Sequence, residues 1–450
     1  MSTESATSLA AAIRAKEISS RELLTSFLDR IDKLNGPINA VVTLDAERAL
    51  AAADDADAAT ARGESFGPLH GLPTTIKDAI ATAGIRSTGG AVELSDHVPT
   101  ADAPAVARLK AAGAIVFGKT NLPRWSGDLE TFNDIFGTTN NPWDLDRIPG
   151  GSSGGAGAAV AAGLTSFELG TDIGGSVRIP SHFNGVFGLK PSFGVVPQRG
   201  YLDHTEGGTI DVDINVFGPL ARSADDLELL LGVLAGPDSE QAVAWSLDLP
   251  PAKGSYRVGV WFDEPTCPVA RDYRGLLTAA ADRLADAGLK VEEAHPPVDF
   301  GAQVMTFNLM VLAAMSPSQP AEIADTLGSH HQWIRQAIER NRLRAIWAEW
   351  FESYDILLCP VTPSAALPHK QGEFAMRTMT IDDVERSYFD NVAWTGLIGV
   401  VGLPSAVPPI GRTPDRLPVG VQCVAPYLRD RDAIDVARML GTYEPPPGFA

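Results

Sequence analysis

Cysteine is scarce in this chain, with three thiols, Cys267, Cys359 and Cys423, in 450 residues. They are far apart, odd in number and form no C-x-x-C pair, which excludes a disulfide framework and a cysteine-rich zinc site. Buried core thiols in a reducing compartment fit this usage. Positive charge is also short: 36 Lys and Arg stand against 56 Asp and Glu, a formal net charge of −20. Such a surface repels phosphate backbones, so nucleic acid is not an expected partner, and solubility is the plain role of the acidity. Membrane-length apolar runs are not evident, since stretches such as Val392 to Val401 are short and interrupted. The segment Met1 to Thr7 is polar, carries Glu4 and lacks the basic and apolar parts of a signal peptide. The expectation is a cytoplasmic protein without membrane contact, with monomer and homodimer both open.

What is present is ordinary for a globular core: 44% apolar and 20% charged residues. Leu23, Leu24, Phe27, Leu28, Ile31 and Leu34 recur at helical spacing behind Ser19 and Ser20, which can cap. Helices are also expected at Asp45–Ala61, Ala103–Ala112, Gly155–Gly163, Ala224–Leu234, Tyr273–Ala287 and Asp430–Leu440. Between them, strands are expected at Pro73–Lys77, Ala114–Phe117, Thr165–Leu169, Arg257–Phe262, Asp355–Cys359, Ser405–Pro408 and Val419–Val424. This alternation predicts an α/β fold, a single large domain with a central mixed β-sheet flanked by helices. Within it we expect N-terminal helices over 1–65, a catalytic core over 66–236, a peripheral helical insertion over 237–350, and completion of the core by 351–450.

Thirteen of the 43 glycines fall between residues 150 and 200. Glycine costs conformational entropy on folding, so such a cluster calls for a reason. Tight helix–strand packing is one, and close approach of backbone to a ligand is another. Polar residues set among these glycines favour the second. Gly150-Gly151-Ser152-Ser153-Gly154-Gly155 and Gly170-Thr171-Asp172-Ile173-Gly174-Gly175-Ser176-Val177-Arg178 each present serine where the hydroxyl is open and N–H groups are unshielded. Acyl transfer needs both: an oxygen that reaches a carbonyl, and donors for the oxyanion that forms. The run Ile173 to Ser176 can make such a nest.

Two rival chemistries fit less well. A phosphate loop requires lysine directly after the glycines, and none follows. Gly151 to Gly155 matches G-x-S-x-G with Ser153 at the elbow of an α/β-hydrolase esterase, but the preceding Leu145 to Pro149 is charged and broken by proline, not a strand. His204, His330, His331 and His369 could each supply a base, and nothing marks one of them. Lysine can also deprotonate serine when burial keeps it neutral. Lys77, Lys119 and Lys190 are candidates, and the residues alone leave all three open. S-x-x-K does not occur.

Beyond the paired glycine–serine motifs, the chain carries Gly71-Leu72-Pro73 before Lys77-Asp78, Phe187-Gly188-Leu189-Lys190-Pro191-Ser192, Gly402-Leu403-Pro404 and Gly420-Val421-Gln422. In this order they resemble the amidase signature family, over nearly the whole chain and most weakly from about 240 to 350. The resemblance implies a Ser–cis-Ser–Lys triad: Ser176 as nucleophile, Ser152 as the bridging serine with a cis peptide, Lys77 as base. It implies an oxyanion hole of the backbone N–H groups of Ile173, Gly174, Gly175 and Ser176. Ser153, Asp172 and Arg178 take supporting roles, and Lys119 and Lys190 are structural. No metal and no cofactor are implied.

By the same resemblance, the substrate pocket is expected at Trp125, Ser126, Gly127 and Asp128, with Phe132 and Phe136 making it apolar. Met305, Phe307, Met310, Met315, Trp333, Trp347 and Trp350 are expected to form a lid or a packed helical layer. A neutral small-molecule amide, anilide or carbamate is the expected substrate, as in aryl acylamidases and urethanases. The amidase subunit of a tRNA-dependent amidotransferase is the alternative.

Overall fold

Serine caps and alanine spacing set the first helices of the computed structural model, which describes residues 3–318 and 329–449. The parts of the N-terminal reading at 1–2 and of the insertion at 319–328, like residue 450, lie outside the described residues. Helix α1 is Ala6–Arg14 and α2 is Ser20–Ile38. The Ser19 hydroxyl accepts from the Glu22 N–H while the Glu22 carboxylate accepts from the Ser19 N–H, a reciprocal cap on two otherwise unpaired donors. Helix α3, Ala46–Arg62, buries Ala49, Ala53, Ala56 and Ala59, whose small side chains let it lie close against α2.

Eleven strands form one mixed sheet. They are β1 (Val41–Leu44), β2 (Pro73–Lys77), β3 (Ile115–Thr120), β4 (Glu168–Asp172), β5 (Phe187–Lys190), β6 (Val216–Ala221), β7 (Arg257–Val260), β8 (Lys290–Glu293), β9 (Ile356–Cys359), β10 (Ser405–Val407) and β11 (Gln422–Val424). Their spatial order is β1-β3-β2-β4-β6-β5-β10-β11-β9-β7-β8. β3, β2 and β4 run parallel, as do β9, β7 and β8, and the pairings between these two groups are antiparallel. The helices that flank the sheet after α3 are α4 (Pro104–Ala111), α5 (Gly154–Ala161), α6 (Arg178–Asn184), α7 (Ala224–Leu234), α8 (Arg271–Asp286), α9 (Phe300–Met315), α10 (His330–Trp350), α11 (Ala393–Gly399) and α12 (Asp430–Leu440). This is a large single-domain α/β fold with a central mixed sheet flanked by helices, as the alternation of elements predicts.

The expected strand at Thr165–Leu169 lies three residues later, at Glu168–Asp172. Glu168, Thr171 and Asp172 are buried there, so hydropathy misplaces a strand whose polar groups are hydrogen-bonded inside the protein. Strands β5 and β6 were not expected because Gly188, Gly218 and Pro219 interrupt them. Region 237–350, read from sequence as a peripheral helical insertion, contributes β7 and β8 to the far edge of the main sheet. Among the described residues, Phe300–Ser318 is long and apolar enough to cross a membrane by length and composition, with mean hydropathy 1.2. The sequence reading overlooked it. Here its Gln303 amide donates to the Leu397 carbonyl at 2.6 Å, and Phe300, Phe307 and Met310 are buried in the fold.

Candidate active site

Because β2 and β4 are parallel neighbours, paired Thr75 to Glu168 and Ile76 to Leu169, their C-terminal ends meet. Lys77 closes one strand and Asp172 the other. The Lys77 ammonium nitrogen donates to Ser152 Oγ at 2.7 Å and to Thr171 Oγ1 at 2.8 Å. Loss of water around this fully buried amine pushes it down to about 7, against the pull of the Asp172 and Glu168 carboxylates. Ser152 follows a cis Gly151–Ser152 peptide. Any side chain at 151 would run into the Asp128 carbonyl oxygen at 2.6 Å and the Leu129 carbonyl carbon at 2.7 Å, so the approach of these two loops requires glycine.

Asp172 organises the loop that follows β4. Its Oδ1 accepts from Gly175 N–H at 2.9 Å and from Arg178 Nη2 at 2.8 Å. Its Oδ2 accepts from Val177 N–H at 3.1 Å and from Arg178 Nε at 3.0 Å. Burial alone would raise this carboxyl, but the Arg178 guanidinium and its hydrogen bonds outweigh that and hold it at about 2. Arg178 in turn donates to the Thr395 carbonyl and to Gln422 Oε1, tying the loop to α11 and β11. Both side chains of this pair are fully buried, so it is no surface ion pair.

One expectation about the oxyanion nest needs correction. The Gly175 N–H is already committed to Asp172, so it is not free for a ligand. The N–H groups of Ile173, Gly174 and Ser176 carry no hydrogen bond among the described residues. Gly175 itself sits at φ +116°, and a Cβ there would meet Thr395 Oγ1 at 2.7 Å, so its contribution is conformational. The Ser176 hydroxyl makes no hydrogen bond among the described residues, and Ser176 lines a cavity. Ser153 bonds only to backbone: its hydroxyl donates to the Thr171 carbonyl at 3.2 Å, and its N–H donates to the Ser176 carbonyl at 3.2 Å.

Geometry separates the three lysines that sequence left open. All are fully buried and depressed by desolvation, Lys119 to about 8 and Lys190 to about 7. Lys119, however, donates to the Ile80 carbonyl and Thr82 Oγ1, and Lys190 to the Pro191 and Leu403 carbonyls. Of the three, Lys77 alone bonds a serine. Three of the four candidate histidines are engaged elsewhere, His204 with Asp203, His369 with Glu130, and His330 against the ring of Trp333, and His331 is exposed near the start of α10, outside the cavity lining.

The cavity beside Ser176 measures about 360 Å³. Ser126, Gly127 and Asp128 line it, together with Ile173 and Gly174. Trp125 instead borders a narrower recess with Ser126, Ile173 and Tyr201. Trp125 and Ser126 are both left-handed, φ 51° and 57°, a costly turn for residues with side chains. Phe132 and Phe136 are not in the cavity wall; Phe136 lies under the Arg86 guanidinium at 5.1 Å. The apolar wall comes from Phe307, Val311, Leu312 and Met315 of α9 and from Phe374, Phe389 and Val392. Of the lid residues expected from sequence, Phe307 and Met315 line the cavity, Met305 faces outward, Trp333 is half-buried against His330 and does not line the cavity, and Met310, Trp347 and Trp350 are packed inside. Phe374 and Phe389 were missed, since no sequence periodicity links them to the glycine-rich loops. Asp128 is neutralised by an ion pair with Arg377, which also lies 3.5 Å from Glu130.

A mixed α/β sheet that sets a buried lysine on the serine of one glycine-rich loop, and bonds that loop to a second whose Ser176 lines a cavity, defines an enzyme of the amidase signature type. Comparison with known proteins agrees. The Amidase family model matches residues 22–332 and 319–433, and the chain belongs to that family of amide hydrolases. It is 34% identical to the indoleacetamide hydrolase of Bradyrhizobium diazoefficiens, over 97% of this chain and 86% of that protein. It is 32% identical to a glutamyl-tRNA(Gln) amidotransferase subunit of Moorella thermoacetica, over 92% of this chain and 91% of that protein. Among solved structures it is similar to a bacterial aryl acylamidase of the amidase signature family, with a TM-score of 0.85, 26% identity, and coverage of 97% of this chain and 95% of that one.

Proposed function

We propose that the protein is a free-standing cytoplasmic amidase that cleaves the C–N bond of small neutral amides, anilides or carbamates, with some ester hydrolysis, through an acyl-enzyme on Ser176. The observation that carries this reading is a fully buried lysine, held near neutrality, hydrogen-bonded to Ser152 next to a cavity lined by Ser176. Neutral Lys77 takes the Ser152 proton as Ser152 takes that of Ser176. Ser176 Oγ then bonds to the carbonyl carbon, and the oxygen that gains the electron pair is held by the N–H groups of Ile173, Gly174 and Ser176. Collapse breaks the C–N bond, and the proton returns through Ser152 to the departing nitrogen. Water adds to the acyl-enzyme by the same relay and releases the acid.

The cavity supports a neutral, largely apolar substrate. Its carboxylate, Asp128, is already paired, and its remaining wall is mostly Phe, Leu, Val and Met. Glutamine, the donor for a tRNA-dependent amidotransferase, carries an ammonium and a carboxylate that would each need a charged partner. The similarity to the indoleacetamide hydrolase makes an arylacetamide the first substrate to try. The test is turnover by the purified chain of indoleacetamide, an anilide, a phenyl carbamate and glutamine. Arylacetamide or anilide hydrolysis that disappears in Ser176→Ala supports the reading, and turnover of glutamine alone would overturn it.

A further inference from the structure

Helix α9 forms the apolar side of the cavity, and its polar side chains are few. In FGAQVMTFNLMVLAAM they are Gln303, Thr306 and Asn308. Two have internal partners. Gln303 donates to the Leu397 carbonyl and accepts from Trp347 Nε1 at 3.2 Å, and the Thr306 hydroxyl donates to the Ala302 carbonyl at 3.1 Å. Asn308 is half-buried, lines the cavity and makes no hydrogen bond among the described residues. Asparagine is a poor helix former, and its carboxamide, unpaired within the protein yet not sealed from solvent, is open to a ligand in the cavity. The fold gains nothing visible from it, so the gain is sought in a ligand.

The neighbouring contacts fix where that ligand would lie. The Phe307 ring reaches to 3.4 Å from the position a Cβ would take on Gly174 in the oxyanion loop, and Met315 reaches to 3.5 Å from the same point on Gly127. Asn308 therefore stands beside the residue that covers the loop next to Ser176, in a wall otherwise made of Phe, Val, Leu and Met. A carboxamide offers both a donor and an acceptor and no charge. We propose that Asn308 is a specificity-determining residue that hydrogen-bonds a neutral polar group on the acyl part of the substrate, so that the preferred substrate is an apolar, ring-sized acyl body bearing one hydroxyl, ring N–H or second amide. This rests on the amidase reading above and sharpens it. A site built around such a bond discriminates strongly against a substrate that lacks the partner, because the protein group is then left unpaired.

The test separates binding from turnover. Phenylacetamides carrying a hydroxyl at each ring position, and their fluorinated counterparts, are titrated calorimetrically into the full chain carrying Ser176→Ala, with and without Asn308→Leu. The same panel is then followed for hydrolysis with Ser176 intact. The expected result is at least one hydroxylated amide bound roughly 10-fold or more tighter than its fluorinated counterpart. Asn308→Leu removes that preference while affinity for the fluorinated amide holds or rises, and Asn308→Gln restores part of it. In hydrolysis the same variant raises KM for the hydroxylated amide more than it lowers kcat. Equal affinities within each pair, or an equal loss for both members in Asn308→Leu, would overturn the proposal. Discrimination in binding without any turnover by the Ser176 enzyme would leave the role of Asn308 standing and overturn the amidase reading instead.

Discussion

The floor and the wall of the cavity are built by opposite means. The floor, residues 150–178, is buried throughout, and around Ser176 the side chains of Ser152, Ser153, Thr171, Asp172 and Arg178 are each hydrogen-bonded to a defined partner. The wall is a helix with Met305 and Leu309 exposed away from the cavity, closed by Phe374 and Phe389 from another part of the chain. In the floor, hydrogen bonds hold the groups around Ser176 in place, whereas in the wall van der Waals packing fixes only shape and volume. Chemistry that depends on tenths of an ångström therefore belongs to the floor, and the choice of substrate belongs to the wall.

That contrast breaks most visibly at Ser176. Ser176→Ala and Lys77→Ala should each lower kcat by about 10⁴- to 10⁶-fold with the far-ultraviolet dichroism spectrum unchanged. Retention of ordinary rates in either variant would mean that the floor does not carry the reaction. Next in size is the pair beneath the loop. Asp172→Ala strips a buried guanidinium of its counter-charge and should cost about 3–5 kcal/mol in urea unfolding, together with most activity. A loss below ~1 kcal/mol would show that the loop stands without it. In the wall, Phe307→Ala should change KM for an arylacetamide by roughly 10-fold and kcat by much less, since it touches volume rather than the relay. An equal fall in kcat would move Phe307 from wall to floor.

A further prediction concerns pH. In the proposed relay Lys77 is a base only when neutral, and burial lowers it to about 7. With the ordinary lysine near 10.5, kcat/KM should climb as pH rises through about 7 and level off above it. A limb placed near the ordinary lysine value would mean that the amine is solvated during turnover. The smallest effect is expected from His204→Ala, whose imidazole pairs with Asp203 and not with a serine: activity should stay within about twofold. A large loss there would return a histidine to the mechanism.

Much of this was legible in the sequence, for definable reasons. Ser19 and Ser20 before a leucine stripe announced α2, and Ala224–Leu234 and Asp430–Leu440 have the bounds their periodicity gives. The serines and glycines of the two loops stood out because function packs glycine where a fold alone would not. What escaped had mixed signals. Strand β6 contains Gly218 and Pro219, and β4 buries polar residues that hydropathy places at a surface. The commitment of the Gly175 N–H to Asp172 escaped as well, since a motif names donors but not the direction in which they point. Among Lys77, Lys119 and Lys190, three fully desolvated amines, only the 2.7 Å contact with Ser152 distinguishes one.

The strand order has a consequence for synthesis of the chain. β5 at Phe187–Lys190 pairs on one side with β10 at Ser405–Val407, more than 200 residues later. At ~5–20 residues per second, a ribosome leaves that edge of the sheet without its neighbour for roughly 10–45 s. During that interval the nascent half-sheet offers unpaired N–H and C=O groups to any other strand nearby. Chaperone occupancy during translation should therefore peak between the emergence of β6 and that of β10, and a chain stopped before residue 405 should aggregate rather than fold.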